Sequence, residues 1–164
     1  MRIFLQALTR AKLLKDRTAV VSGGSSGIGL AAARVMAEAG AVVTSADLNP
    51  PPEKDAGVIA FRRTDVTRAA DVRALAEQRA GERAVDLLVL SAGRGIHQRL
   101  PEGDPETWQA IVEINFLGAL RLVRAFVPAM IAAGRGDVVF ISSVAAEKAY
   151  SWGGVYAASK AALA

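Results

Sequence analysis

The sequence lacks cysteine entirely and has one histidine among its 164 residues. Without cysteine the chain can form no disulfide, no thiolate nucleophile and no cysteine-ligated metal site. A single histidine also excludes a histidine-rich metal site. We therefore predict that the protein holds no metal.

Aromatic residues, basic blocks and long apolar runs are equally scarce. Aromatics make up 5% of the chain, which gives no support to a base-stacking nucleic-acid module. The formal net charge of +4 comes from scattered arginines, which favours a solvated basic surface over a nucleic-acid face. No apolar run approaches the roughly 18 residues of a membrane span, and residues 3–8 are too short for a secretory signal. We expect a cytoplasmic protein without nucleic-acid or membrane partners.

Hydrophobic residues reach 52% and charged residues 22%, which indicates one globular domain with a real core. Residues 1–15 form a leader of mixed apolar and basic residues. It is predicted to be a short amphipathic helix on the surface or a cloning remnant. Both are favoured over a segment that contacts a membrane. Residues 16–164 are predicted to form a single dinucleotide-binding domain.

A glycine-rich segment follows the first apolar run, Ala19–Val21, and precedes a helical pattern. Glycines let the backbone turn tightly, and a helix N-terminus offers free N–H groups to phosphate. Gly24 and Gly29 have P-loop spacing, but the next two residues are not the Lys and Ser/Thr that a P-loop needs. The other frame, Gly23-x-x-x-Gly27-x-Gly29, predicts a dinucleotide loop; a structural turn without a ligand is the alternative.

Asp47 closes the next predicted strand, 24 residues after Gly23. A carboxylate at this place in a nucleotide-binding unit accepts hydrogen bonds from a ribose diol and repels a 2′-phosphate. The sequence therefore favours NAD over NADP. Two observations weigh against this: Asp47 could simply start the turn at Pro50, and Arg62 and Arg63 could lie near the same pocket.

Apolar runs and helical patterns alternate along the whole chain. Strands are predicted at 18–21, 41–46, 58–61, 86–90 and 137–141, and helices at 27–40, 68–79, 104–133 and from 155. This order predicts an α/β, Rossmann-like, doubly wound parallel sheet in three layers, α/β/α. Ligands of such sheets bind beyond the carboxyl ends of the strands, so one rim should carry Ser22, Asp47, Ser91, Ser142 and Ser143.

The long helix predicted at 104–133 is apolar most of the way round. Such a helix is covered on two sides, by the sheet and by a partner subunit, which predicts a homodimer or homotetramer. Asn115 and Gly118 interrupt it and indicate a bend or a close approach of another segment.

Tyr156 and Lys160 are four residues apart at the start of the last helix, so their side chains are neighbours. A phenol is a poor proton donor and acceptor at neutral pH, but an adjacent ammonium favours the phenolate. Ser143, after the fifth strand, could hold the oxygen of an alcohol or a carbonyl. Together these residues suggest proton transfer to or from such a substrate.

The chain resembles the short-chain dehydrogenase/reductase family. Ser22-Gly23-x-x-x-Gly27-Ile28-Gly29 matches the cofactor loop, with Ser22 for the usual Thr, and Asp65-Val66 matches the pair that contacts adenine. Asn115, Ser143, Tyr156 and Lys160 match the catalytic tetrad. The cofactor-binding residues that this implies are Ser22, Gly23, Ser25, Ser26, Gly27, Ile28, Gly29, Asp47, Asp65, Val66, Ser91, Ala92, Gly93, Tyr156 and Lys160.

The resemblance implies an oxidoreductase that transfers hydride between NAD(H) and an alcohol or ketone. Tyr156 would be the general acid/base and Ser143 would orient the substrate. Lys160 would bind the nicotinamide ribose and favour the phenolate, and Asn115 would hold a relay water. One departure is that Leu90-Ser91 replaces two asparagines of the family's Asn-Asn-Ala-Gly.

Family members usually run to about 250 residues and add two strands and a substrate loop after the last helix. The resemblance therefore implies a domain that ends within the catalytic helix and lacks the last strands. We expect residues 1–164 alone to be catalytically silent. We also expect them to be poorly soluble or to form oligomers. Two alternatives to an incomplete enzyme are an inactive nucleotide-binding module and a subunit that another chain completes.

Overall fold

The computed structural model describes residues 12–80, 84–148 and 150–164, without the side chains of residues 79 and 80. Most of the predicted leader, residues 1–15, thus lies outside the described residues. The remainder begins with a turn in which the N–H of Leu14 donates to the carbonyl of Ala39.

Five parallel strands form one sheet in the order β3-β2-β1-β4-β5. The strands are β1 (Thr18–Ser22), β2 (Val42–Asp47), β3 (Ile59–Arg63), β4 (Leu87–Leu90) and β5 (Asp137–Phe140). The helices are α1 (Gly27–Glu38), α2 (Ala69–Ala80), α3 (Pro105–Val112), α4 (Gly118–Ala132) and α5 (Gly154–Ala161). This alternation confirms the predicted Rossmann-like fold.

Strand β1 lies at the centre of the sheet and is buried along its whole length. Its side chains alternate between two cores. Ala19 and Val21 face the core that includes Leu30 of α1, whereas Val20 faces the core that includes Leu122 of α4. Helices therefore cover both faces, as the continuous apolar run of a doubly buried strand predicts.

Strand β3 extends through Arg63, two residues beyond its predicted end. Ala46 pairs with Arg62 and Asp47 pairs with Arg63 along the parallel ladder. Because the ladder joins backbone groups, it continues past the last apolar side chain. The apolar pattern alone therefore placed the end of the strand too early.

The predicted long helix is two helices with a π-helical segment between them, Glu113–Leu117. Asp104 caps α3 by accepting a hydrogen bond from the N–H of Thr107 at 2.9 Å. The π-helical segment contains Asn115, and Gly118 follows it. A Cβ at Gly118 would lie 2.8 Å from Cγ2 of Val66, so the glycine permits close contact between α4 and the loop after β3.

Ion pairs join three strands at their amino ends. The buried carboxylate of Asp86 accepts hydrogen bonds from Nε of Arg17 at 2.9 Å and from the N–H of Thr18 at 3.0 Å. Arg135 also pairs with Asp86, and Arg17 also contacts Asp137. Removing either partner from a buried pair leaves an uncompensated charge, so this cluster holds β1, β4 and β5 together.

Strand β5 forms one edge of the described sheet. Val139 and Phe140 of this strand are 44% and 37% exposed. Among the described residues, no helix has the length and apolar character that crossing a membrane would take.

The core prediction compares two leucines of α4. Leu122 is fully buried, whereas Leu120 is 40% exposed. Leu122→Ala should lower the free energy of unfolding by about 2–5 kcal/mol, because it leaves a cavity against the sheet. Leu120→Ala should cost less than about 1 kcal/mol. Urea denaturation of both variants measures the difference, and equal losses would contradict the packing of α4.

Candidate functional site

A cleft of about 1250 Å³ lies at the carboxyl ends of the strands. Segments that follow all five strands contribute to its walls, and so do α3 and α5. Of the residues predicted from the sequence, those that line the cleft are Gly23, Ser26, Gly27, Ile28, Gly29, Asp47, Asp65, Val66, Ser91, Ala92, Gly93, Tyr156 and Lys160. Ser22, Ser25, Asn115 and Ser143 lie outside the lining.

The glycine turn between β1 and α1 packs backbone against backbone. Gly23 has φ +65°, and a Cβ there would lie 2.9 Å from the backbone of Ala92. A Cβ at Gly29 would overlap the carbonyl of Gly23. Gly27 also has positive φ, but no other group lies within 4 Å of its Cβ position. The first and third glycines close the turn, and the second faces open space in the cleft.

Ser22 and Ser25 support the cleft from behind. Oγ of Ser22 accepts hydrogen bonds from the N–H groups of Ser91 at 3.1 Å and Ala92 at 3.2 Å. Oγ of Ser25 bonds to Oγ of Ser45 at 2.8 Å. Ser22 therefore ties the loop after β1 to the loop after β4, and Ser25 ties its loop to β2.

Asp47 lies in the cleft at the end of β2. Its carboxylate accepts hydrogen bonds from the N–H of Ser25 at 3.1 Å and the N–H of Asn49 at 3.3 Å. Nε of Arg62 instead donates to the side chain of Gln78 at 3.2 Å, and neither Arg62 nor Arg63 is among the residues that line the cleft. The carboxylate is thus fixed beside the glycine turn.

Asp65 and Val66 form the next part of the wall. The carboxylate of Asp65 accepts hydrogen bonds from Oγ1 of Thr67 at 2.7 Å and from its N–H at 2.9 Å. The bond from the Thr67 hydroxyl, the largest cause, lowers the pKa of Asp65. This local turn holds Val66 against Gly118.

Lys160 brings its ammonium into the cleft although its side chain is almost fully buried. Its Nζ donates a hydrogen bond to the carbonyl of Ile141 at 2.8 Å. Burial lowers the pKa of Lys160, because removing water disfavours the charged form. Tyr156 lies one helical turn earlier on α5 and lines the same cleft. The structure thus brings together the two residues that their spacing predicts as neighbours.

Asn115 is fully buried behind the cleft, and every polar group of its amide has a partner. Oδ1 accepts a hydrogen bond from the N–H of Arg94 at 2.7 Å, and Nδ2 donates to the carbonyl of Arg94 at 3.1 Å. Nδ2 also donates to Oγ of Ser159 at 2.9 Å, which in turn donates to the carbonyl of Tyr156 at 2.7 Å. The side chain therefore fixes the loop after β4 relative to α5.

Ser143 caps the short turn that follows β5, since its Oγ accepts a hydrogen bond from the N–H of Ala145 at 3.2 Å. The neighbouring Ser142 lines the cleft and donates to the carbonyl of Lys160 at 2.8 Å. The two adjacent serines thus have different roles: Ser142 anchors α5, and Ser143 shapes the loop beside it.

Several lining residues were not predicted. Glu106, Gln109 and Glu113 face the cleft, and their helical spacing was the available signal. Oε2 of Glu113 pairs with Nη2 of Arg121 at 2.7 Å. Within the ranges that the structure describes, no group of three potential ligands is placed to hold a metal ion.

The burial of Lys160 predicts a pH-dependent stability. Unfolding restores its ordinary pKa, so the unfolded chain binds more protons between the lowered pKa and about pH 10. The unfolding free energy should therefore rise with pH across that window. Lys160→Met should raise the melting temperature at pH 7 by about 2–4 °C for each kcal/mol relieved. The same substitution should also abolish the rise of the unfolding free energy with pH. Differential scanning calorimetry across this pH window measures both effects.

Lys148→Met is the matched control, because Lys148 is exposed. This substitution should leave both the melting temperature and its pH dependence unchanged. A lower melting temperature for Lys160→Met at every pH would mean that the bond to Ile141 outweighs the cost of burying the charge.

Comparison with known proteins matches residues 17–164 to the short chain dehydrogenase family model. An uncharacterized oxidoreductase of Staphylococcus saprophyticus is 33% identical over 92% of this chain and 68% of its own length. A cis-4-hydroxycyclohexanecarboxylate dehydrogenase of Sinomonas cyclohexanicum is 36% identical over 91% of this chain and 64% of its own length.

Solved structures agree. A gluconate 5-dehydrogenase of Burkholderia cenocepacia, in complex with NADP and tartrate, superposes with a TM-score of 0.84. It is 33% identical, and the match covers 96% of this chain and 65% of that one. The chain thus spans about two thirds of the length of these relatives. On the family match and these identities, the chain belongs to the short-chain dehydrogenase family.

Proposed function

We propose that the protein is an NAD(P)-dependent oxidoreductase, with NAD preferred, that transfers hydride between the cofactor and an alcohol or carbonyl substrate. The observation that carries this proposal is that one cleft contains the glycine turn, Asp47, Tyr156 and Lys160. The first two are suited to a dinucleotide and the last two to proton transfer. Family membership supports this pairing.

The cleft fits a dinucleotide at the glycine turn. Side chains at Gly23 and Gly29 would collide with backbone, and the backbone at Gly27 is open to the cleft. The adjacent N-terminus of α1 is suited to phosphate. We assign phosphate binding to the segment Gly23–Gly29, ribose binding to Asp47 and adenine contact to Asp65 and Val66.

NAD preference rests on Asp47, whose carboxylate would repel a 2′-phosphate. The gluconate 5-dehydrogenase neighbour holds NADP, so family membership alone leaves the choice open. In this chain neither Arg62 nor Arg63 is among the residues that line the cleft beside Asp47. We therefore assign the discrimination to the carboxylate.

Tyr156 is proposed as the residue that gives a proton to the substrate oxygen or takes it away. The nicotinamide, when bound, supplies or accepts the hydride. Lys160 stabilises the phenolate by its charge and contacts the nicotinamide ribose. Asn115 fixes the loop after β4 relative to α5, which carries both residues, and it is proposed to hold a relay water. Ser143 is proposed to orient the substrate oxygen.

We propose a homodimer or homotetramer in the cytoplasm, with the exposed apolar side chains of Leu120 and Ile131 on α4 available for contact. The alternatives are a silent nucleotide-binding module and a subunit that another chain completes. A binding module alone would have no need of Tyr156, which favours the enzyme.

The cofactor prediction concerns Asp47. NAD(H) should bind at least tenfold more tightly than NADP(H), a difference of about 1.4 kcal/mol. Asp47→Ala should narrow this gap, because it removes the charge that repels a 2′-phosphate. Asp55→Ala is a control: its carboxylate is held by Arg34 at 2.7–2.8 Å, away from the lining. Fluorescence titration with both reduced cofactors measures the gap, and equal affinities in the unmodified protein would exclude the assignment.

The mechanism prediction concerns any full-length form of the enzyme and compares the two tyrosines of residues 1–164. Tyr156→Phe should abolish alcohol or ketone turnover and leave NAD(H) affinity within about twofold, because the lost hydroxyl acts on substrate. Lys160→Ala should impair both turnover and affinity. Tyr150→Phe should leave turnover unchanged. If a full-length form binds NAD(H) but turns over no alcohol or ketone, the silent module becomes the better description.

A further inference from the structure

Arg94 is positioned more firmly than an ordinary surface arginine. It follows Gly93 in the loop after β4 and lines the cleft. Both its N–H and its carbonyl are bonded to the buried amide of Asn115, at 2.7 and 3.1 Å. This two-point attachment fixes the start of the side chain, and the residue is exposed at the cleft.

This position is beside the residues assigned to proton transfer. A Cβ built on Gly93 would lie 3.3 Å from Nζ of Lys160, so Arg94 begins one residue away from that ammonium. Asn115 and Ser159 also connect the backbone of Arg94 to the carbonyl of Tyr156 through three hydrogen bonds. Arg94 and Tyr156 thus line the same cleft, and this chain of hydrogen bonds joins their backbones.

The other cations of the cleft and of this loop are already engaged. Nη2 of Arg121 pairs with Glu113 at 2.7 Å, whereas its Nη1 is buried without a hydrogen-bond partner in the described part of the chain. Nζ of Lys160 donates to a backbone carbonyl. Arg99 lies 4.6 Å above the ring of Trp152 and reaches Glu102 at 3.7 Å. Over the described residues, the guanidinium of Arg94 has neither an ion pair nor a hydrogen bond.

We infer that Arg94 binds a carboxylate of the substrate, so that the substrate is a small hydroxy acid or keto acid. This inference rests on the proposed function, because it needs a substrate held at Tyr156. A planar guanidinium can hold a carboxylate through two parallel hydrogen bonds, which fixes orientation as well as adding affinity. Held at both ends, the alcohol carbon would keep one face toward the cofactor.

Paired ligands test the inference. The protein, saturated with NADH, is titrated by NMR with short hydroxy acids such as 3-hydroxybutyrate, each beside its methyl ester. The acid and ester carry the same alcohol and differ in charge. The unmodified protein should bind at least one acid more tightly than its ester.

Three variants separate the explanations. Arg94→Ala should weaken binding of the preferred acid about tenfold, which corresponds to about 1.4 kcal/mol, and change ester binding less than twofold. Arg94→Lys should retain part of the preference. Arg124→Ala removes the same charge from an exposed position on α4 outside this cleft. It should change neither acid binding nor ester binding.

NADH titration of the same variants distinguishes the two proposals. Loss of NADH affinity in Arg94→Ala would assign the guanidinium to the cofactor phosphates and overturn the inference. So would an acid preference that survives Arg94→Ala, or the absence of any acid preference in the unmodified protein. An unmodified protein that fails to bind NADH and NADPH would contradict the proposed function itself.

Discussion

The site depends on the buried amide of Asn115. Its two polar atoms form three hydrogen bonds, which reach the loop after β4 and the helix α5. A buried amide left without partners would be destabilising, so these bonds strongly favour one arrangement of both segments. The π-helical segment that contains Asn115 allows this, because its changed helical phase sets the side chain between two elements rather than against the sheet. Tyr156, Lys160 and Arg94 all lie on the two segments that this side chain joins.

Close contact between backbone segments also shapes the glycine turn between β1 and α1. Gly23 lies close to the backbone of Ala92. Oγ of the neighbouring Ser22 accepts hydrogen bonds from the N–H groups of Ser91 and Ala92. The loops after β1 and β4 therefore behave as one unit. Ser91, whose N–H donates to Ser22, stands where the family has the second of two asparagines. Its Oγ also lies close to the Cβ position of Gly29.

The fold could be predicted from the sequence because the apolar runs and the helical patterns alternate without ambiguity. Ends of elements were less predictable, since backbone pairing carries β3 two residues past its apolar run. For the site, motif residues such as Asp47 and Tyr156 were found by spacing. The interruption at Asn115 was expected, but its hydrogen bonds go to the backbone of Arg94 and the side chain of Ser159, 21 and 44 residues away. Such pairings arise only when the sheet brings distant loops together.

Stability and chemistry make opposite demands on Lys160. Its ammonium is held in a buried position, where its charged form is disfavoured, and within the described residues its one hydrogen bond goes to the carbonyl of Ile141. A methionine would fill similar space without that cost, so packing alone does not explain a lysine there. The cost is understandable if the ammonium acts on a neighbouring phenol and on a bound ribose, because its charge is felt more strongly where water is excluded. By contrast, the exposed charge of Arg94 carries little desolvation cost, since water solvates the guanidinium when no anion is bound. The cleft thus combines one buried cation, placed by the fold at a cost, with one solvated cation that is free to select a ligand.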